Sequence, residues 1–556
     1  MRELHTSKPF VWGLLIVFLA IWFYALGART LVPTDEGRYA EMAREMVATG
    51  DWITPRLNAI KYFEKPPLQN WMNALTFEAF GLGEWQARLW TGLCGLLGVF
   101  LAGYTGRRLF GARVGFNAAL VLGSSAFWMA LAHINTLDMG LAGMMTLALC
   151  GLLLGQNPAA SARERRNWML VCWAGMALAV LSKGLIGVVL PGAVLVLYTL
   201  LARDWAIWKR LHLVAGTLLF LAITVPWFVL VSLKNPEFLR FFFIHEHFQR
   251  FTSKIHHRAG PPYYFIPILL LGILPWLGML AQSLWHGRRD AAAPAGAAAG
   301  FQPKKLLLIW SVFIFVFFSI SGSKLPSYIL PIFPALALLI ACYLEQAPVR
   351  AVQVSAALLV LAGIAGVVGC WYIPRLTDVA FEVPLYQAYV PWVAAAGALG
   401  IVGGGAVLRL AQRQMSWALV TLAATGYLCA QLLMLGHEPL GRYASGLDLV
   451  PAIEAELTPE TPIYAVGRYN QTLPFYLRRT MILVEHADEL EFGLKQEPHL
   501  WIPTRAAFVE KWNADLAAGK KSLAILNPDR LPDLERLGMK LRVIASDPRR
   551  IVVVTP

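Results

Sequence analysis

Two adjacent carboxylates, Asp35 and Glu36, follow the first apolar run in the stretch LVPTDEGRYAEMAREM (residues 31–46). A carboxylate can orient an acceptor group or remove its proton. An alternative explanation is structural, because Thr34 is a good N-cap and acids in the first turn of a helix oppose the helix dipole favourably. The structural explanation is favoured for Glu36, whereas both explanations stay open for Asp35.

Two further motifs contain acids that could take part in the same chemistry. YFEKPPLQNW (62–71) places Glu64 and Lys65 before two prolines, which restrict the backbone to an extended or turning path. HINTLDM (133–139) contains Asp138. An exposed salt bridge is the structural alternative for the first motif, and helix capping is the alternative for Asp138.

Basic side chains follow in short turns between apolar runs. Together they could surround a phosphate group, and the candidates are Lys65, Lys183 in LSKGLIG, Arg250, and Lys324 in SGSKLPSYILP. The ordinary alternative for such lysines is that they extend to the membrane surface. Arg250 has its own alternative, an i,i+4 ion pair with Glu246.

Four histidines lie in FFFIHEHFQRFTSKIHHR (241–258) and raise the question of a metal site. The candidate ligands are His245, His247, His256 and His257, with Glu64 available from another loop. The spacing matches no compact zinc signature such as HExxH. A divalent ion, Zn²⁺ or Mg²⁺/Mn²⁺, is therefore only a weak expectation from the residues alone.

These motifs belong to a chain that is far more apolar than an ordinary soluble protein. Of its 556 residues 57% are hydrophobic and 15% charged, against about 25% charged in soluble domains. Apolar runs of the roughly 20 residues that cross a bilayer as a helix number thirteen, beginning near Phe10, Arg88, Val114, Leu137, Trp168, Leu185, His212, Phe265, Leu306, Leu325, Ala351, Pro391 and Trp417.

The loops between these runs predict an orientation. Lys and Arg are retained in cytoplasmic loops, and alternate short loops such as GRRLFGAR and ARERRN are strongly basic. We expect a cytoplasmic N-terminus and place every polar cluster described above on the outer side. The net charge of +14 is then a topology signal, and we infer no nucleic-acid partner from it.

The composition changes after residue 437. Short β-rich runs (PIYAVG, MILVE, SLAILN, LRVIAS) alternate with helical patterns, which indicates an α/β unit. We therefore predict an all-α polytopic membrane domain over 1–437 and a soluble outer α/β domain over 438–556, in a stabilising or docking role. We expect a monomer, although no sequence feature determines the oligomeric state.

Carboxylates and cations gathered on one outer face suit a lipid-linked substrate with a phosphate head group. Glycosyl transfer from a polyprenyl phosphate needs cations that stabilise the departing phosphate and a positioned acceptor. A flippase or transporter of polyprenyl lipids is the alternative from another class of protein. That alternative predicts ionisable residues near the bilayer midplane and repeated, broken helices.

In order along the chain, DEGRYAE, FEKPPLQNW, LDM, SKG, HEHFQRF and SGSKLPSYILP resemble the motifs of the lipid A 4-amino-4-deoxy-L-arabinose transferases. That family belongs to the GT-C glycosyltransferases and is related to protein O-mannosyltransferases. The resemblance implies transfer of aminoarabinose from undecaprenyl phosphate to a lipid A phosphate at the periplasmic face of the inner membrane, which confers resistance to polymyxin and cationic antimicrobial peptides. A GT-C enzyme with another sugar or a protein hydroxyl acceptor is the nearest alternative.

The resemblance also implies roles for particular residues. Asp35 matches the functional acid of the first outer loop, with Asp138 beside it, and direct displacement would invert the anomeric carbon. Because the two acids are adjacent, the match could instead fall on Glu36, a candidate substrate-binding residue. The departing lipid phosphate would be held by Lys65, Arg250, Lys324 and Tyr328, and a divalent metal by Glu64, His245 and His256.

Overall fold

Each of the thirteen predicted apolar runs coincides with a helix in the computed structural model, which describes residues 4–242, 260–290 and 300–556. Within those ranges nine helices are long and apolar enough to cross a membrane. They are Lys8–Gly27 (α1), Glu84–Phe110 (α4), Leu137–Gly155 (α7), Leu213–Lys234 (α10), Pro303–Ile320, Pro326–Leu344, Val349–Gly369, Val383–Leu410 and Met415–Ser445.

Two broken spans raise this number to eleven. Ala112–Ser124 (α5) and Ala126–Ala132 (α6) meet at 64°, and Phe265–Gly272 meets Leu277–Arg289 at 106°. Two hydrogen bonds join the break in one span to the break in the other. The Ala126 N–H donates to the Leu274 carbonyl (3.0 Å), and the Trp276 indole donates to Ser124 (2.9 Å). The other two predicted runs are Ala162–Lys183 (α8), whose first turns are basic, and Ile186–Ala202 (α9), which has 17 residues.

Short elements cover one end of the bundle. Two helices, Asp35–Thr49 (α2) and Leu68–Phe80 (α3), flank a hairpin of Arg56–Leu57 (β1) and Ile60–Lys61 (β2). Most of α2 is buried although much of it is polar, because the C-terminal domain covers its other side. We call this end the domain-bearing face.

The C-terminal domain packs closely against that face. Thr30 donates to Glu438 from both its backbone N–H and its hydroxyl (2.6 Å each). Gly37 of α2 lies against the backbone of Gln471, so a Cβ at position 37 would stand 2.5 Å from the Gln471 carbonyl oxygen. A close approach of two backbones thus requires glycine here.

A six-stranded sheet forms the centre of the C-terminal domain, in the order β5-β4-β3-β6-β8-β7. The predicted runs become Ile463–Val466 (β3), Ile482–Val484 (β4), Leu523–Leu526 (β6) and Arg542–Asp547 (β7), and the structure adds Trp501–Ile502 (β5) and Arg550–Val554 (β8). The strands β3 to β6 are parallel, and β8 pairs antiparallel with β6 and β7. The helices of this domain are Glu438–Ser445, which is the end of the last membrane-crossing segment (Met415–Ser445), Val450–Glu454, Leu473–Leu477, Glu491–Gln496, Arg505–Ala517 and Leu531–Arg536. The predicted fold class is therefore confirmed.

Candidate active site

Glu36 forms an enclosed ion pair, and this corrects its prediction as a substrate-binding residue. Its carboxylate accepts from Arg88 Nε (2.6 Å) and Nη2 (2.8 Å), and from the backbone N–H groups of Val32 and Asn135 (2.9 Å each). The side chains of Glu36 and Arg88 are 1% and 0% exposed. Burial opposes ionisation of Glu36, but Arg88, helped by Arg29 and the Val32 N–H, outweighs it, so the pKa of Glu36 lies below its ordinary value.

The same contacts correct the capping prediction for Thr34. Thr34 precedes α2 in a helical conformation and makes no side-chain capping hydrogen bond. The Val32 N–H is satisfied instead by Glu36. Glu36 therefore has a structural role, as predicted, but not through the helix dipole. It joins the start of α2 to α4 and to the turn before α7.

Asp35 lies at the first position of α2, and its side chain, unlike that of Glu36, is not enclosed. Its side chain is 43% exposed, and its contact within the structure is an oxygen 3.2 Å from Arg38 Nη1. A carboxylate accepts up to about four hydrogen bonds, so Asp35 keeps most of its capacity for a ligand. This is the arrangement expected of a group that orients or deprotonates a substrate.

Asp138, Lys183 and Tyr328, which were predicted separately, lie together in the structure. Lys183 pairs with Asp138 and lies 4.8 Å from the centre of the Tyr328 ring. Lys183 is also within electrostatic range of Asp35. Thr136, rather than Asp138, is the N-cap of α7, since its hydroxyl accepts from the Asp138 N–H at 3.2 Å. Three helices and a turn therefore bring two carboxylates and a cation to one place.

Lys324 differs from its prediction as a phosphate ligand. Its ammonium donates to the carbonyl oxygens of Phe318 (3.3 Å), Ser319 (2.7 Å) and Ser321 (2.9 Å). An ammonium group has three donors, and these carbonyls use all of them. Lys324 thus closes the end of the helix Pro303–Ile320, and burial lowers its pKa.

Glu64 and Lys65 lie directly before α3, as the two prolines predict. Lys65 Nζ donates to the Glu64 carbonyl at 3.0 Å, while the Glu64 carboxylate is within electrostatic range of Tyr39, Tyr62 and Glu489. His245, Arg250 and His256 lie outside the described residues. In the part of the chain that the structure describes, no group of three His, Cys, Asp or Glu side chains could hold a metal ion.

Sequence reasoning missed a second group of residues at this site. Arg38 of α2 donates to Asp35, Gln471 and Glu489, and it lies 5.9 Å from the ring centres of both Tyr39 and Tyr62. Burial is the main reason that the pKa values of both tyrosines are well above the ordinary value. The motif DEGR contains Arg38 and Asp35, but the other two partners, Gln471 and Glu489, lie more than 400 residues away. No local spacing could have indicated them.

Comparison with known proteins decides the family. Residues 64–230 match a model described as dolichyl-phosphate-mannose-protein mannosyltransferase, and residues 449–555 match the aminoarabinose transferase C-terminal domain. The crystal structure of ArnT from Cupriavidus metallidurans bound to undecaprenyl phosphate is 44% identical, covers 99% of this chain and 98% of its own, and superposes with a TM-score of 0.92. The chain belongs to the aminoarabinose transferase family.

Curated relatives of this aminoarabinose transferase family member carry a consistent name. An undecaprenyl phosphate-alpha-4-amino-4-deoxy-L-arabinose arabinosyl transferase of Proteus mirabilis is 30% identical over 70% of this chain and 69% of its own length. The Edwardsiella ictaluri protein of that name is 34% identical, over 60% of this chain and 59% of its length. An archaeal oligosaccharyltransferase, AglB from Archaeoglobus fulgidus, shares the fold at 12% identity and a TM-score of 0.52.

Proposed function

We propose that this membrane protein transfers 4-amino-4-deoxy-L-arabinose from undecaprenyl phosphate to a phosphate of lipid A. The observation that carries the proposal is the cluster of Asp35, Asp138, Lys183 and Tyr328 on the domain-bearing face. The cluster belongs to a chain 44% identical over nearly its whole length to a protein crystallised with undecaprenyl phosphate.

The chemistry of the acceptor assigns a role to Asp35. A lipid A phosphate is ionised near neutral pH and needs little help from a base. Asp35 therefore orients the acceptor or pairs with the ammonium of the sugar, with Asp138 held beside it by Lys183. Attack by the phosphate oxygen on the anomeric carbon displaces the undecaprenyl phosphate and inverts the configuration at that carbon.

The departing phosphate carries the charge that develops during the reaction, and preorganised cations stabilise such charge. Lys65, Lys183 and Arg250 fit this role, and Tyr328 adds a hydroxyl donor. Lys324 is left out because its three donors are already used by carbonyl groups.

Glu64, His245 and His256 would hold a divalent ion, Zn²⁺ or Mg²⁺/Mn²⁺. Of these ligands the structure describes Glu64, whose carboxylate lies near the tyrosines of the site. When bound, such an ion would supply positive charge close to the phosphate groups. The roles of Asp35 and the cations stand without it.

We place the reaction at the periplasmic face of the bacterial inner membrane. The basic loops support a cytoplasmic N-terminus, and an odd number of spans, as the sequence predicts, would then bring the C-terminal domain and the site to the opposite side. Addition of a cationic sugar to lipid A would reduce its negative charge and weaken binding of polymyxin and cationic antimicrobial peptides.

Transfer by the purified protein tests the proposal. Synthetic undecaprenyl phosphate-aminoarabinose and lipid A are mixed with the protein in detergent, and lipid A is weighed by mass spectrometry. We expect a mass gain of one or two aminoarabinose units, and loss of the gain in Asp35→Asn. Unmodified lipid A with active donor, or transfer to a protein hydroxyl instead, would overturn the assignment.

A further inference from the structure

Arg38 is fixed from three directions at once. Its Nη1 lies 3.2 Å from Asp35, its Nε donates to Gln471 Oε1 at 3.0 Å, and its Nη2 lies 2.9 and 2.7 Å from the two oxygens of Glu489. Two of these three partners belong to the C-terminal domain. The guanidinium is planar and rigid, so holding two of its nitrogens determines where the third one points.

Glu489 is itself held in place by both domains. The Gln471 amide donates to it, and the Tyr62 hydroxyl lies 3.5 Å from its other oxygen. The Glu489 side chain is 21% exposed and that of Arg38 is 10% exposed, whereas that of Asp35 is 43% exposed. Arg38 and Glu489 are thus shielded from solvent. This series of contacts ends at Asp35, the more exposed of its two carboxylates.

We infer that Glu489 of the C-terminal domain is a positioning residue for Asp35 and acts through Arg38. The inference rests on the proposed function, because it assigns the domain a part in the same transfer reaction. With Glu489 and Gln471 in place, Arg38 offers one donor to Asp35 and holds the carboxylate toward the substrate. Without Glu489, Gln471 is the remaining contact of Arg38 with the C-terminal domain, so Arg38 can turn about that one contact and Asp35 loses its fixed orientation.

The test compares Glu489→Gln with a matched control in the same domain. Glu489→Gln keeps the shape of the side chain and removes its charge. Glu456→Gln is the control, because Glu456 pairs with Lys521 and Arg542 within the C-terminal domain and contacts neither Arg38 nor Asp35. Transfer is measured as kcat and KM for the lipid donor, alongside thermal unfolding in detergent.

We expect Glu489→Gln to lower kcat roughly tenfold, the effect of losing one charged hydrogen bond, with KM and the unfolding temperature close to those of Glu456→Gln. The pathway through Arg38 predicts a second result. In Arg38→Lys, which cannot hold the three partners together, adding Glu489→Gln should lower kcat no further.

Each outcome separates the inference from the proposed function. If the unaltered protein transfers no sugar, the proposed function fails, and amide hydrogen exchange then tests the contact itself: exchange over residues 35–38 should rise in Glu489→Gln and stay unchanged in Glu456→Gln. Equal kcat for these two variants would overturn the inference. So would additive losses in the double variant, or a loss of kcat that follows a matching fall in unfolding temperature.

Discussion

The enclosed ion pair around Glu36 and the open cluster around Asp35 lie side by side at the start of α2 and contain the same kinds of group. Glu36 accepts four hydrogen bonds and is fully enclosed with Arg88. Among the described residues Asp35 has a single such contact, to Arg38, and its side chain is 43% exposed. One peptide unit separates an anchor of the fold from a candidate catalytic group.

The difference teaches that charge near a membrane is a weak sign of function until its hydrogen bonds are counted. The Arg88 guanidinium is fully used as well, since it also donates to the carbonyls of Leu26, Arg29 and Thr30. A buried ion pair whose hydrogen bonds are all made is costly to break, because removal of one partner leaves an uncompensated buried charge. A carboxylate with unused capacity at an exposed edge can bind something else.

The largest effect should come from Asp35→Asn. We expect transfer to fall by roughly 10²-fold or more, because misplacement of a reacting group alone can cost about that factor, while the unfolding temperature stays near that of the unaltered protein. Turnover on lipid A and thermal unfolding in detergent are measured together. Transfer at nearly the original rate would place Asp35 outside the mechanism and end the contrast with Glu36.

Glu36→Gln should produce the opposite pattern. It leaves the Arg88 cation buried without its counter-charge, which costs about 3–5 kcal/mol when one partner of a buried pair is removed. We expect a large fall in the unfolding temperature and in the yield of folded protein, and the fraction that folds should still transfer sugar. Normal stability combined with lost turnover would return Glu36 to the substrate site.

The sequence predicts the parts of this site that local patterns determine. Apolar runs predict the helices, and the shared outer face predicts that Asp35, Asp138 and Lys183 lie together. The spacing of residues could not show that the Lys324 ammonium donates to carbonyls at the end of the preceding helix, Pro303–Ile320. Nor could it show that Glu36 pairs with Arg88. These outcomes depend on which partner is nearest in space, as do the contacts of Arg38 with the C-terminal domain.

Lys183 and Lys324 extend the comparison to two lysines that both follow apolar helices. Lys183→Met should lower turnover roughly tenfold to a hundredfold, because a charged hydrogen bond to Asp138 is lost and Asp138 is left unpaired. Lys324→Met should lower the unfolding temperature and leave turnover per folded molecule unchanged. Steady-state kinetics with a titration of folded enzyme separates the two, and an equal loss of turnover in both would restore Lys324 to the phosphate site.

Glu45 shows a third environment, a carboxyl that shares one buried site with another acid. Burial, with the nearby Glu41, raises the pKa of Glu45 from an ordinary 4.5 to about 8. Between pH 4.5 and about 8 the folded protein keeps a proton on Glu45 that the unfolded chain has released. The contribution of Glu45 to the free energy of unfolding is therefore full below pH 4.5 and is lost as pH rises through about 8. Unfolding temperatures from pH 5 to 9 should fall less steeply in Glu45→Gln, and an unchanged slope would exclude Glu45 as the titrating group.

The smallest effect should come from Thr34→Ala, which asks whether the start of α2 is held by a cap or by Glu36. Because Thr34 makes no capping hydrogen bond, we expect a loss below about 0.5 kcal/mol, against about 1 kcal/mol for removal of a working cap. Thr504→Ala is the matched control, since the Thr504 hydroxyl accepts from the Ala507 N–H at 3.3 Å. Thermal unfolding of both variants measures the difference. A loss at Thr34 as large as that at Thr504 would mean that capping shares the anchoring of α2, and Glu36 would then hold the helix start only in part.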